Sequence, residues 1–138
     1  MTKEEVISFV RSNPVCFLAT VEGNAPRVRG MQMFKADERG ILIQLATVKD
    51  MYKQLVANPN VELCFNDFKS GIQVRVSGKA EFLEGPGVAE EVLTARPFLK
   101  SVADAHGQAA IKVFRIANAQ ATVWTRETNL APKTYIKL

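Results

Sequence analysis

Apolar residues near the start of the chain recur with a helical period. Val6, Phe9 and Val10 fall at positions i, i+3 and i+4, so they would turn one helix face toward a core. Ahead of them, Thr2-Lys3-Glu4-Glu5 has the form of a capping box, and Asn13-Pro14 ends the pattern. The sequence therefore predicts a short helix at the start of the chain.

After this helix the pattern changes to the two-residue period of β strands. Connections of hairpin length that contain glycine, such as Glu22-Gly23-Asn24 and Asp37-Glu38-Arg39-Gly40, separate the first runs. Predicted strands cover 15–21, 26–36, 41–46, 61–67, 71–83 and 110–125, with a short one over 135–138. Further helices are predicted over 49–57 and 88–95, with a second short turn near 97–102. Many hairpin-joined strands predict a mainly β (α+β) fold, a closed or nearly closed antiparallel barrel with a few short helices.

The segment 45–55 carries the most chemical information. It reads as a strand that runs into a helix, with Thr47 as the N-cap and Asp50 three residues later. Lys49 and Lys53 are spaced i and i+4, so both ammonium groups would overhang one side of the helix start. A helix N-terminus carries free N–H groups and a partial positive charge, which lysines oppose unless an anion is bound. The segment predicts a phosphate site; the alternative is an exposed helix face whose lysines are solvated.

A second group of basic residues precedes this segment. Strict alternation over 26–34 places Arg27, Arg29, Met31 and Met33 on one face of a strand. Two arginines on one face repel each other unless an anion lies between or beyond them, and the planar guanidinium matches phosphate oxygens in bidentate fashion. The strand arginines and the two lysines together predict a four-residue phosphate clamp.

Several motifs follow one another in order along the first part of the chain. They are Phe17-Leu18-Ala19-Thr20-Val21, Pro26-Arg27-Val28-Arg29, Gly40-Ile41-Leu42, Thr47-x-Lys49-x3-Lys53-x-Leu55-x2-Asn58-Pro59, and Val74-x-Val76-x-Gly78-x-Ala80-Glu81. No single motif is specific, but the ordered series over about 15–83 resembles the pyridoxamine 5'-phosphate oxidase-like FMN-binding split-barrel flavoproteins.

The resemblance implies an antiparallel split β-barrel that forms one domain over 1–138, with FMN as the cofactor. It implies Arg29, Thr47, Lys49 and Lys53 for the FMN phosphate. It also implies that Met31, Gln32 and Ala46 lie near the isoalloxazine ring. A barrel of this size is filled by its own side chains, so a flavin has to bind outside it. In the resembled family the flavin lies in a groove between two protomers, which implies a homodimer.

Trp124, the only tryptophan, lies late in the last long predicted strand. Alternation places it on one face with Thr122 and Arg126. It is interpreted either as a core or dimer-interface residue or, following the resemblance, as a residue that contacts the flavin of the other subunit.

Composition narrows the function classes. With 138 residues and 47% hydrophobic residues the chain is long enough for one domain with a substantial core. No apolar run reaches the roughly 20 residues of a membrane span, and the N-terminus lacks a secretory pattern, so a cytoplasmic protein without membrane contact is expected. The net charge of +4 is scattered rather than gathered in an aromatic-rich basic stripe, so nucleic acid is not expected as a partner. Cys16 and Cys64 lie in apolar runs without metal spacing, so reduced core cysteines are favoured over a disulfide, and no metal site is expected.

No side chain stands out as a general base. His106, the only histidine, lies in a polar stretch and is predicted to be a solvated loop residue. Catalytic residues are therefore unknown, which is consistent with flavin chemistry, where the cofactor carries the reaction. The segment 125–138 lacks the arginine and histidine pattern of true pyridoxamine phosphate oxidases, so oxidation of vitamin B6 is doubtful.

Three functions stay open from the sequence. The first is an FMN-dependent oxidoreductase that acts on a small planar, nitro- or quinone-like molecule. The second is a non-catalytic flavin module that stores FMN or transfers electrons. The third is a split barrel that binds another ligand, such as heme or a deazaflavin.

Overall fold

A computed structural model describes all residues, 1–138. Its helices are α1 (Lys3–Ser12), α2 (Asp50–Ala57), α3 (Val88–Ala95) and α4 (Lys100–His106), with short 3-10 turns at Pro97–Leu99 and Gln108–Ala110. Its strands are β1 (Val15–Glu22), β2 (Ala25–Gln32), β3 (Lys35–Asp37), β4 (Gly40–Ala46), β5 (Asn60–Asp67), β6 (Ile72–Phe82), β7 (Ile111–Trp124) and β8 (Ile136–Lys137). No helix combines the length and the apolar character that crossing a bilayer requires.

One antiparallel sheet contains all eight strands. Seven of them follow the order β2-β1-β5-β6-β7-β4-β3, and β8 pairs with β7. The two ends of this order, β2 and β3, do not pair with each other, so the sheet is not closed. Only Met33 and Phe34 connect them, and two extended residues bridge at most about 11 Å. The sheet therefore has to curl until its ends lie close together, and the predicted mainly β, split-barrel fold is confirmed.

The prediction of one strand over 26–36 is wrong, because β2 and β3 are separate strands at opposite ends of the sheet. The change of partner occurs at the two connecting residues. The N–H of Met33 donates to the carbonyl of Pro14 at 2.8 Å, whereas that of Phe34 donates to the carbonyl of Leu42 at 2.9 Å. The chain stays extended while it changes neighbours, so the alternating pattern continues through the break.

The core fills the inside of the curled sheet and is capped by α1. Leu18, Leu63 and Phe65 point inward from β1 and β5, and all three are fully buried. Val6 and Val10 of α1 are also fully buried in this cluster. The predicted capping box is confirmed, since the side chain of Thr2 accepts from the Glu5 N–H and the Glu5 carboxylate accepts from the Thr2 N–H.

Two details of the predicted helices are wrong. Helix α2 begins at Asp50 with Lys49 in the N-cap position, not Thr47, and no side chain caps it. The reason is a turn after β4, in which the Thr47 N–H donates to the carbonyl of Ala110 and the Lys49 N–H donates to that of Ala46. His106 is exposed as expected, but it is the last residue of α4 rather than part of a loop.

Both cysteines are free, as predicted. Cys16 lies opposite Phe65 and Cys64 lies opposite Phe17, so the two side chains point to different faces of the sheet. Burial, followed by the nearby Cys64, raises the pKa of the Cys16 thiol to about 12, which keeps it protonated and unreactive. Cys64 is only partly buried on the outer face, so the prediction of a core cysteine is wrong for this residue, because its strand position alternates away from the core.

An ion cluster fastens α3 to the hairpin of β3 and β4. Arg39 donates to the carboxylates of Asp37 and Glu91, and Lys35 lies 2.8 Å from Glu91. Hydrogen bonds from Arg39 and then Lys35 lower the pKa of Glu91 to about 2. The side chains are about one-third exposed, so solvent weakens each pair, but together they join α3 to the hairpin.

The bulge between β6 and β7 predicts a strict requirement for glycine. A Cβ at Gly78 would lie 2.6 Å from the Ala117 carbonyl oxygen and 2.6 Å from the Ile116 Cγ2. Gly78→Ala is therefore expected to lower the free energy of unfolding by about 2–3 kcal/mol, measured by urea denaturation. Gly87→Ala is the control, because nothing lies near its Cβ and its backbone angles are helical. Equal stability of the two variants would contradict the close approach at the bulge.

Candidate functional site

A cleft of about 890 Å³ opens at the split between the ends of the sheet. Its walls are β2 on one side and the end of β4 on the other, with the start of α2 beneath them and α4 above. A volume of this size is typical of cofactor and ligand sites. One end of the cleft is polar and basic, and the other is apolar.

Arg29 dominates the polar end. Its guanidinium donates to the Thr20 hydroxyl and to the Gln54 amide oxygen, both at 2.7 Å, and to the Leu18 carbonyl at 3.3 Å. All three acceptors are uncharged, so the geometry of the side chain is fixed while its charge is not neutralised. Burial lowers the pKa of Arg29 from its usual value, but an arginine remains charged at neutral pH. The side chain is a preoriented cation at the edge of the cleft.

Thr20 and Gln54 form the support beneath this arginine. Thr20 points inward from β1, Gln54 lies on the buried face of α2, and both are more than nine-tenths buried. The Thr20 hydroxyl donates to the Gln54 amide oxygen at 2.6 Å, so that one oxygen accepts from both Thr20 and Arg29. The amide nitrogen of Gln54 donates to Glu22 at 3.2 Å, which fixes the orientation of the amide.

Four further charged residues surround the polar end. Arg27 pairs with Glu22 at 3.0 Å in a half-exposed position. Hydrogen bonds from Arg27 and then Gln54 lower the pKa of Glu22, so this carboxyl is ionised and engaged at neutral pH. Lys49 and Asp50 line the cleft from the N-terminal end of α2. Three cations thus face two carboxylates, and Arg29 and Lys49 are the cations without an ion-pair partner.

The apolar end is built from several elements. Its lining side chains are aliphatic or thioether groups, namely Met31, Leu45, Ala46, Met51, Leu99, Val102 and Ile111. Among them lies Gln44, whose amide oxygen is buried and has no hydrogen-bond partner. A buried acceptor without a donor is unfavourable, so this position is suited to a ligand that donates a hydrogen bond. No group of three or more His, Cys, Asp or Glu side chains is placed to hold a metal ion.

The cleft brings together five of the nine residues predicted from the sequence. These are Arg27, Arg29, Met31, Ala46 and Lys49. Three others lie outside its lining for different reasons. Gln32 alternates to the outer face of β2, Thr47 lies in the turn before α2, and Lys53 is exposed on α2. The i, i+4 argument for Lys53 does not hold, because Lys49 precedes the helix instead of lying in its first turn.

Trp124 lies apart from the cleft of its own chain. It faces outward from β7, is 40% exposed, and its indole N–H donates to the Asn129 side chain at 2.8 Å. It borders a separate groove formed with the segment after β7. Its predicted role at the site of a second subunit stays a prediction.

Several residues of the cleft were missed by the sequence reasoning. They are Glu22, Thr20, Gln54, Gln44, Leu99 and Val102. Two of them have a signal that could have been used. Thr20 is polar at an inward position of an apolar strand, and Gln54 follows the buried Met51 by three residues on the same helix face. Leu99 and Val102 carry no such signal, because only the fold places α4 and the 3-10 turn before it over the cleft.

Comparisons with known proteins match most of the chain. A family model described as Pyridoxamine 5'-phosphate oxidase matches residues 2–125. A NimC/NimA family protein from Clostridium acetobutylicum has a similar structure, with a TM-score of 0.78 and 26% identity over 98% of this chain and 92% of that one. No curated protein sequence matches the chain.

Two other solved structures share the fold at lower identity. A protein from Mesorhizobium loti described as FAD-binding has a TM-score of 0.59 and 14% identity over 91% of this chain and 96% of that one. PhzG from Burkholderia lata, in complex with tetrahydrophenazine-1-carboxylic acid, has a TM-score of 0.57 and 16% identity over 98% of this chain and 87% of that one.

The buried support of Arg29 predicts a stability effect that does not depend on any ligand. Thr20→Val keeps the side-chain shape but removes the hydroxyl that bonds to Arg29 and Gln54. We expect the free energy of unfolding to fall by about 1–2 kcal/mol in urea denaturation at pH 7. Thr47→Val is the matched control, since Thr47 is half-exposed and its side chain makes no hydrogen bond. The proposed support is wrong if the two variants lose equal stability.

Proposed function

Since the chain belongs to the pyridoxamine 5'-phosphate oxidase family, we propose that it binds FMN in this cleft and acts as an oxidoreductase on a small molecule. The observation that carries the proposal is Arg29, a fixed and unneutralised cation at one end of a cleft whose other end is apolar. FMN has the same polarity, with a phosphate at one end and a ring system at the other.

The basic end of the cleft is suited to the phosphate. Arg29 offers guanidinium N–H groups beside neutral supports, and Lys49 adds a second cation without an ion-pair partner. The N-terminal end of α2 contributes free backbone N–H groups and a partial positive charge on the same side. Arg27 is a weaker contributor because Glu22 already neutralises it.

The apolar end is suited to the ring. Met31 and Ala46 line it from the two strands, and the unpartnered Gln44 oxygen offers an acceptor to a ring N–H. Bound FMN would supply the redox chemistry, because no cysteine or histidine lines the cleft. The protein's own residues bind the phosphate, orient the ring and exclude water from one side of it.

The substrate is proposed to be a small planar acceptor, such as a nitro compound or a quinone. Leu99 and Val102 line the apolar end of the cleft with aliphatic, uncharged side chains. Such walls favour a flat apolar molecule over a phosphorylated one, consistent with the doubt about vitamin B6 oxidation. The same lack of ionisable groups also favours the non-catalytic flavin module as the second candidate. Turnover of NAD(P)H with a nitro compound or quinone separates the two, and the visible spectrum separates FMN from heme or a deazaflavin.

A homodimer is proposed to complete the site. Val15, Phe17 and Val28 form an exposed apolar strip on the outer face of β1 and β2, and Phe17 packs against Gly30. Val28 and Gly30 also line the cleft, so the strip continues into its mouth. A second copy seated on this strip would cover both the apolar surface and the open side of the flavin. In this arrangement Trp124 is proposed to contact the flavin of the other protomer.

The proposed phosphate clamp predicts selective loss of FMN. Lys49→Ala should weaken FMN binding at least about tenfold, because a charge-assisted hydrogen bond to the phosphate is lost. Binding of riboflavin, which lacks the phosphate, should change by less than about twofold. Both affinities are measured by flavin fluorescence quenching in the apoprotein.

Lys53→Ala is the matched control for this experiment. It removes the same type of side chain from the same helix, at an exposed position outside the cleft. An equal loss of FMN affinity in the two variants would show that the lysines act only through nonspecific electrostatic attraction, which would contradict the clamp. Equal weakening of FMN and riboflavin by Lys49→Ala would refute the clamp.

The proposed dimer predicts a spectral role for Trp124. Trp124→Ala should shift the flavin absorbance and raise its reactivity with oxygen, because a bulky apolar cover is removed while the phosphate contacts remain. Phe68→Ala, at a residue that is 85% exposed, is the control. Absorbance spectra and sedimentation velocity are measured together. An unchanged spectrum in an intact dimer would place Trp124 away from the flavin.

A further inference from the structure

A second, smaller pocket of about 210 Å³ lies on the outer face of the sheet, and it shares no residue with the cleft. Arg75 and Ser77 of β6 and Thr122 of β7 form its floor, and Lys133 and Tyr135 cover it from the segment that follows β7. The lining is almost entirely polar. A space of this size is suited to a small ion and is too small for a flavin.

Arg75 lacks the hydrogen bonds that the other partly buried arginines make. Its Nε is buried without an acceptor, and its guanidinium donates to no group of the chain. Its one ion-pair partner is Glu62, whose carboxylate oxygen lies 3.7 Å from the Arg75 Nε, beyond hydrogen-bond distance. By contrast, Arg29 and Arg96 each donate to backbone or side-chain oxygens at 2.7–2.8 Å. Arg75 is therefore free to turn its guanidinium toward an acceptor in the pocket.

The neighbouring polar groups are also without partners. Thr122 is only 8% exposed and lines the pocket, yet its hydroxyl makes no hydrogen bond within the chain. The side chains of Ser77, Lys133 and Tyr135 also make no hydrogen bond within the chain, and they are at least partly open to solvent. Buried polar groups are normally satisfied, so the buried Arg75 Nε, which has no partner, indicates a missing acceptor at this place.

We propose that this pocket is a ligand site for a small oxyanion, a carboxylate or a phosphate. Two cations, Arg75 and Lys133, face the single carboxylate of Glu62, which leaves net positive charge. Hydroxyl groups around them donate to oxygen, and the arginine fork matches two oxygens of one anion. The occupant is an ion with several acceptor oxygens and no large apolar part.

Binding at this site would also fasten the C-terminal segment to the sheet. Lys133 and Tyr135 belong to that segment, whereas Arg75 and Thr122 belong to the sheet. The segment is otherwise held by the short strand β8, which pairs with β7 at two register positions, and by the hydrogen bond from Trp124 to Asn129. An anion in contact with both sides adds cross-links between them. Occupancy should therefore raise the melting temperature and slow hydrogen exchange over 130–137.

The test uses inorganic phosphate and acetate as probes at constant ionic strength. Each is titrated into ¹⁵N-labelled protein whose cleft is saturated with FMN, and the Arg75 Nε–Hε signal is followed. If FMN does not bind, the Lys49→Ala variant is titrated instead, so failure of the proposed function and failure of this site remain distinguishable. We expect a saturable shift with one or both probes. Preference for one probe identifies the anion as a phosphate or a carboxylate.

Substitutions locate the binding. Arg75→Gln and Lys133→Ala should each weaken binding of the anion at least about tenfold. Arg115→Gln is the control, because Arg115 lies at the surface and is paired with Glu81. Equal anion binding by the Arg75→Gln and Arg115→Gln variants would overturn the proposal. So would a chemical-shift change that rises linearly with probe concentration and equals the change produced by chloride, because it would show an adventitious ion only. Loss of the dimer in Arg75→Gln without any anion effect would also overturn it, because the acceptor would then come from a second copy.

Discussion

The two-residue connection between β2 and β3 is the constraint on which the rest of the structure depends. The strands belong to opposite ends of the sheet, yet Met33 and Phe34 alone join them. The sheet must curl to satisfy this connection, and curling brings β2 opposite the end of β4. The cleft lies at this junction, so the split in the barrel and the candidate site have one origin. Arg96 reinforces the junction, since its guanidinium donates to the carbonyl oxygen of Met33 and packs over the ring of Phe34.

The candidate site also depends on the uncharged groups that hold the Arg29 guanidinium. A carboxylate at the place of Gln54 would hold the guanidinium equally well but would cancel its charge. A hydroxyl, an amide and a backbone carbonyl hold it in position and leave its charge for a ligand. The buried polar pair Thr20 and Gln54 is thus explained by the cation above it rather than by stability alone. Glu22 contacts Gln54 and Arg27 but not Arg29. Its carboxylate therefore does not pair with the Arg29 guanidinium.

Much of the fold could be predicted from the sequence, because hydrophobic periods and turn residues report on local structure. The capping box at Thr2, most strand positions and the free cysteines depend on such local signals. The break at Met33 could not be predicted, because the chain remains extended while its partner changes. The start of α2 was misplaced because a tertiary hydrogen bond from Thr47 to Ala110 extends the turn. The charged residues of the site can be predicted from their residue types. The apolar residues Leu99 and Val102 cannot, because long-range topology places them over the cleft.

The pairing of β4 with β7 also has a kinetic consequence. Leu42 lies opposite Arg115 and Ala46 opposite Ile111, so one wall of the cleft joins parts of the chain that are distant in sequence. Closing such a long loop has a high entropic cost, and folds dominated by distant pairings form slowly. During synthesis on the ribosome, β4 remains an unpaired edge on this side until β7 has emerged. A ligand that contacts both walls of the cleft can therefore bind only after β7 has paired with β4. Its binding reports on the last stage of folding rather than the first.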